Sequence, residues 1–197
     1  SAYFESPKLY KENGFKEKEE AKKLIAVLKE GTSPLTCRIV SIEKKKEKKN
    51  PPLLFNLAEL QNECSKRFKI SPDETLRIVQ ELYEKKLVTY PRTDSQYLTD
   101  EMGESTRKLI QVLLCRMPFS EGMEYEPEVS KVLNSKKVSD HHAIIPTSEV
   151  EKADLQKLKE KERNILYLIS ARVLTATADS YIYETHKCQL TCNFHTF

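Results

Sequence analysis

The chain has 197 residues, 39% of them hydrophobic and 32% charged, which is long enough for a buried core and richer in charge than the roughly 25% usual for globular domains. No apolar run approaches the ~20 residues of a membrane span, and the start, Ser1-Ala2-Tyr3-Phe4-Glu5, lacks the build of a signal peptide, so the sequence reads as soluble and cytoplasmic. A net charge of +3 from 33 basic and 30 acidic residues neither demands nor excludes a nucleic-acid partner, and five scattered cysteines, an odd number, read as reduced thiols.

In chain order, Ala21, Leu24, Ile25 and Leu28 fall at helical spacing, predicting an amphipathic helix over 17–30 with Gly31 as its C-cap. Leu35 to Ile42 has strand composition. The run Glu43 to Asn50, followed by Pro51 and Pro52, reads as a boundary: a solvated linker, or less readily a phosphate-attracting loop. Asn56 with Glu59 three residues on is a helix start, with Leu57, Leu60, Gln61, Cys64 and Phe68 following at helical spacing. Ser71-Pro72-Asp73-Glu74 starts the next helix, whose apolar stripe is Leu76, Val79, Leu82 and Tyr83. Leu87 to Tyr90 then has strand composition and ends at Pro91, giving the order helix, short turn, helix, strand of a helix-turn-helix with a wing. Short helical hairpins are also common as plain packing units.

Thr99 or Asp100 caps a helix to about Cys115 with Leu109, Val112 and Leu113 on its apolar side, and 119–137 reads as irregular loop. Helical periodicity returns over 153–178, with Ile165, Leu168, Ile169 and Val173 as its stripe. Alternation over 181–193 predicts a strand.

Three groups of residues could carry chemistry. Tyr90, Arg92, Thr93, Asp94 and Ser95 concentrate a phenol, a guanidinium, two hydroxyls and a carboxylate at a strand end. A tyrosine serves as a covalent nucleophile where positive charge stabilises the phenolate, and the planar fork of an arginine suits phosphate oxygens. The plain alternative is a core tyrosine and an Arg92–Asp94 ion pair. In the second group, Asp140-His141-His142, adjacent side chains on extended backbone point apart, so only one histidine can serve a given site. In the third, His186, Cys188, Cys192 and His195 include four zinc-ligand types, but residues 186 and 192 of one straight strand lie about 20 Å apart, too far for one tetrahedral site.

Leu87-Val88-Thr89-Tyr90-Pro91-Arg92-Thr93-Asp94-Ser95, with Asp140-His141-His142-Ala143-Ile144-Ile145-Pro146-Thr147, closely resembles the active-site strings of type IA DNA topoisomerases, particularly the bacterial topoisomerase III branch. The run Pro51 to Gln61 is similar to the opening of that family's tyrosine domain. The resemblance covers roughly 35–192 and is densest over 51–147. It implies that Tyr90 attacks a phosphodiester of single-stranded DNA to give a 5′-phosphotyrosine link and a free 3′-hydroxyl. Arg92 would hold the scissile phosphate and His141 would stand beside it, with Thr93, Asp94, Ser95 and His142 as supporting polar residues toward the DNA.

The implied fold is α+β and mostly helical: a winged-helix (CAP-like) tyrosine domain over 51–178, inserted into a β-rich arch domain formed by 1–50 and by a returning strand at 179–197. The family also has a Toprim domain, whose Gly-x-Glu and Asp-x-Asp strings supply acid/base chemistry and bind Mg2+. No Asp-x-Asp string occurs in these 197 residues, so the chain is expected to be a fragment, holding no metal itself, inactive alone and partnered by the Toprim domain. Two other readings compete. One is a non-catalytic single-strand-binding module with Tyr90 stacked on a base. The other is an Asp-His-His phosphoesterase, for which the further metal-binding aspartates are missing.

Overall fold

The computed structural model describes residues 14–30, 37–123, 126–192 and 195–196. Among them are five helices and one three-stranded sheet, an α+β fold that is mostly helical. The chain divides into two units, Lys49–Tyr181 and a second made of Ser1–Lys48 with Ile182–Phe197.

In the first unit, helix α2 spans Leu57–Phe68 and α3 spans Pro72–Glu84; the helix of the other unit is α1, Lys18–Lys29. Asn56 accepts from the Glu59 N–H at 2.9 Å and Ser71 accepts from the Glu74 N–H at 3.2 Å, two side-chain caps each worth about 1 kcal/mol. The first helix ends where Lys69 turns left-handed at φ 57°. Ile70 then dips into the core before Pro72 opens the next helix. Helix α4, Gly103–Arg116, follows a short 3-10 turn at Asp100–Met102, and α5 spans Glu160–Ala176. Leu60, Cys64, Ile78, Val79 and Leu82 close on Ile110, Leu113, Ile165, Leu166 and Ile169 as one core. In α4 the buried partner of Leu109 and Leu113 is Ile110; Val112 sits at the margin.

Two expected elements differ in this unit. The strand over 87–90 is a single bridge, Val88 to Pro146: prolines at 91 and 146 have no N–H to extend a ladder, so pairing stops after Thr89 N–H to Ile145 O and Thr147 N–H to Leu87 O. No wing hairpin stands among the described residues. The last helix begins at Glu160, seven residues later than its periodicity suggests, because Asp154 caps a separate turn through the Gln156 N–H and the Glu162 carboxylate takes the Lys159 N–H at 3.0 Å.

In the second unit, strand β1 spans Arg38–Lys49, β2 spans Tyr181–Cys192 and β3 spans His195–Thr196, in the order β1-β2-β3. Strands β2 and β3 are antiparallel. Side-chain links join Ser41 to Gln189, Thr185 to Lys45 and Tyr183 to Glu47; the numbers rise on one strand as they fall on the other, as antiparallel pairing requires. The lysine-rich run is therefore strand, neither linker nor loop: cross-strand main-chain bonds hold it extended while the charges stay solvated on both faces. Gly31, the first residues of the expected strand, and the side chains of Cys192 and His195 lie outside the described residues.

Candidate active site

Helix α3 ends in a turn at Lys85–Lys86, and two links fix where the next segment starts. Lys85 Nζ reaches the buried Glu162 carboxylate at 2.5 Å, and the Lys86 carbonyl accepts from the Thr147 hydroxyl. Burial alone would raise the Glu162 pKa, but the Lys85 hydrogen bond, the Lys159 N–H and both lysine charges outweigh it and hold the carboxyl below its ordinary value. The segment runs extended, with Pro91, Thr93 and Ser95 buried and Arg92 and Asp94 exposed. This period of two sends the guanidinium and the carboxylate outward and the hydroxyls inward.

Those hydroxyls are committed to the chain itself. Thr93 Oγ1 donates to the His141 carbonyl at 2.8 Å and accepts the Ser95 N–H at 3.1 Å. Ser95 Oγ donates to the Lys137 carbonyl at 2.8 Å. Thr89 Oγ1 donates to the Ala143 carbonyl and accepts the Ile145 N–H at 3.0 Å. The two strings, some fifty residues apart, are thereby stitched side by side. From below, the Ile144 N–H binds the Phe55 carbonyl at 2.8 Å, and the Arg172 guanidinium lies 3.8 Å from the Phe55 ring centre while donating to the Leu53 carbonyl.

The stitching sets three rings in a row. Tyr90, half-buried, has its ring centre 4.3 Å from that of His141 at an interplanar angle of 44°, and 5.5 Å from that of Tyr83 at 79°. His142 turns away, its Nδ1 2.8 Å from the Ala143 carbonyl. Arg92 makes no hydrogen bond or ion pair among the described residues, so it is not neutralised by Asp94. It helps line a cavity of about 430 Å³ with Asn56, Leu57, Ala58, Gln61, Thr93 and Asp94. Asn56 both caps α2 and donates to the Asp94 carbonyl at 3.0 Å. A larger cavity of about 580 Å³, lined by Cys115, Arg116, Asp154 and Tyr167 among others, shares none of these residues. Among the described residues no three His, Cys, Asp or Glu side chains gather as a metal-ligand set, and no helix is long and apolar enough to cross a membrane.

The family model described as DNA topoisomerase matches residues 2–197. The chain belongs to the type IA DNA topoisomerase family. A DNA topoisomerase 3 of Staphylococcus haemolyticus is 40% identical over 163 residues, 80% of this chain and 22% of that protein. Another, from Staphylococcus saprophyticus, is 37% identical over 181 residues, 89% of this chain and 25% of that protein. The chain thus spans about a quarter of the length of these curated relatives. Full-length topoisomerase I from Thermotoga maritima superposes with a TM-score of 0.62 at 24% identity, over 92% of this chain and 29% of that one, a likeness of fold.

Within this topoisomerase segment, Tyr90 and His141 come together, Arg92 stands exposed two residues from the phenol, and Thr93 and Ser95 face inward. Tyr83 escaped the sequence reading: its place in the apolar stripe of α3 marks it as core, yet it is 39% exposed and touches Tyr90. The available signal was its position at the end of the helix, seven residues before Tyr90.

Proposed function

We propose that the chain is the tyrosine-bearing part of a type IA topoisomerase that cuts one strand of DNA, holds it as a 5′-phosphotyrosine, and reseals it to relax or decatenate DNA. The observation that carries this reading is the contact of the Tyr90 ring with His141 beside an unpaired, outward-facing Arg92. In this reading the Tyr90 oxygen attacks the scissile phosphorus as the phenol gives up its proton. The phosphorus–3′-oxygen bond breaks and the 3′-oxygen takes up a proton. One phosphoester replaces another, so the step reverses when the 3′-hydroxyl returns. Arg92 offers two parallel N–H donors to the non-bridging oxygens, where charge builds in the transition state. His141 braces the ring and presents an imidazole to the same phosphate. Thr93, Ser95 and Thr89 hold these groups in register, and Asp94 stands on the DNA side, whereas His142 turns away.

The unit Lys49–Tyr181 is the winged-helix tyrosine domain of this reading, with Tyr90 on the segment where a wing strand would begin, and the sheet unit is part of the arch. Magnesium and the acid/base carboxylates belong to a Toprim domain of the longer protein; no step above passes through the metal, and the chain alone binds single-stranded DNA without cutting it. The identity of the relatives named DNA topoisomerase 3 supports this assignment. The test uses an oligonucleotide labelled at its 3′ end and the full-length enzyme with magnesium. Wild type forms a denaturant-resistant labelled adduct and Tyr90→Phe forms none. An adduct in Tyr90→Phe refutes the assignment.

A further inference from the structure

Tyr83 occupies a place that no role above accounts for. It sits in the last turn of α3, part-exposed, its hydroxyl without a hydrogen-bond partner among the described residues, and its ring stands edge-on to Tyr90 at 5.5 Å and 79°. Tyr90 itself lies in irregular backbone and is only half-buried. Among the described residues two aromatic rings contact it, Tyr83 at 5.5 Å and His141 at 4.3 Å.

A tyrosine side chain has three staggered χ1 wells, and a swing from one to another carries the phenolic oxygen several ångströms, far outside the 3–3.5 Å approach a reacting pair requires. Edge-to-face contact is the favoured geometry of paired aromatic rings. Each aromatic contact restricts rotation of the Tyr90 ring, and His141 supplies one of them. Tyr83 supplies another, and it is anchored well: neighbouring Leu82 is fully buried, and Lys85, two residues on, is tied to Glu162.

We propose that Tyr83 is a positioning residue for the Tyr90 nucleophile, its ring fixing the rotamer from which Tyr90 attacks the phosphodiester and to which the phosphotyrosine returns for resealing. The inference rests on Tyr90 being the nucleophile. It assigns the effect to the aromatic ring, not to the Tyr83 hydroxyl, and to the chemical steps, not to DNA affinity.

The test is single-turnover adduct formation and resealing by the full-length enzyme with magnesium on a 3′-labelled oligonucleotide, over a range of DNA concentrations. Tyr83→Ala and Tyr83→Leu are expected to slow both steps at saturating DNA by up to about tenfold with the half-saturating concentration unchanged. Tyr83→Phe restores the wild-type rate. Leucine keeps apolar bulk on the helix, so the pair separates loss of the ring from loss of packing. Wild-type rates in both the alanine and leucine variants overturn the proposal, as does a slow Tyr83→Phe, or a loss that appears equally in DNA affinity. Tyr90→Phe runs alongside: an adduct there refutes the nucleophile assignment itself, whereas no adduct there with fast Tyr83→Ala and Tyr83→Leu refutes only the role of Tyr83.

Discussion

The two units of the chain treat the same kinds of residue in opposite ways. In Lys49–Tyr181, Leu54, Phe55, Leu60 and Leu82 are wholly buried. In the sheet unit no residue of described burial is buried, and Ile39, Val40, Ile42 and Ile182 are each more than half exposed. The sheet holds together by its main-chain ladder and a few side-chain links, while the helical unit also gains the transfer of apolar surface from water. The candidate site lies wholly in the packed unit. Transition-state chemistry needs groups held to a fraction of an ångström on rigid elements, and only a core with mutually locked side chains supplies that.

The sharpest way to break this contrast is to truncate one side chain in each unit. Phe55→Ala removes the wholly buried ring of a residue whose backbone carbonyl holds the Ile144 N–H and is expected to cost about 3–5 kcal/mol, read as a drop in the urea midpoint. Next comes Glu162→Gln, which removes the charge paired with Lys85 and is expected to cost about 2 kcal/mol at neutral pH. The sign with pH follows from its lowered pKa: the stability this carboxylate contributes is complete above the ordinary glutamate range and is lost as the pH falls through its lowered folded value. Midpoints of wild type and Glu162→Gln therefore converge on acidification, and a constant gap down to pH 3 would contradict the pairing.

Asn56→Ala is expected to cost about 1–2 kcal/mol, because it removes a cap and the link to the Asp94 carbonyl together. Thr106→Val goes the other way: the buried Thr106 hydroxyl has no partner among the described residues, and replacing it should raise the midpoint by up to about 1 kcal/mol. Smallest of all, Ile42→Ser on the open sheet is expected to change stability by less than about 0.5 kcal/mol. A loss as large as that of Phe55→Ala would mean that the sheet is covered after all.

What the sequence made legible follows the same division. Capped, amphipathic helices declared themselves, since Asn56 and Ser71 are local signals that tertiary packing did not override. The pairing of Tyr90 with His141 was legible only as two strings in order; no local rule brings residues fifty apart together, and the hydroxyls of Thr89 and Thr93 that do so look like any loop threonines. Glu43 to Lys49 misled because charge predicts solvation and says nothing about a ladder made by the backbone. Tyr83 misled because helical spacing groups it with Leu76 and Val79, while an apolar stripe is wider than the core it faces.

The most direct test of the account is to locate the covalent bond. The full-length enzyme is trapped on a short single-stranded oligonucleotide, digested with protease and nuclease, and the modified peptide is sequenced by mass spectrometry. The account predicts a phosphonucleotide on the peptide containing Thr89-Tyr90-Pro91-Arg92, with fragment ions placing it on Tyr90. Attachment to Tyr83, Tyr97 or Ser95, or to any residue outside this segment, would contradict it.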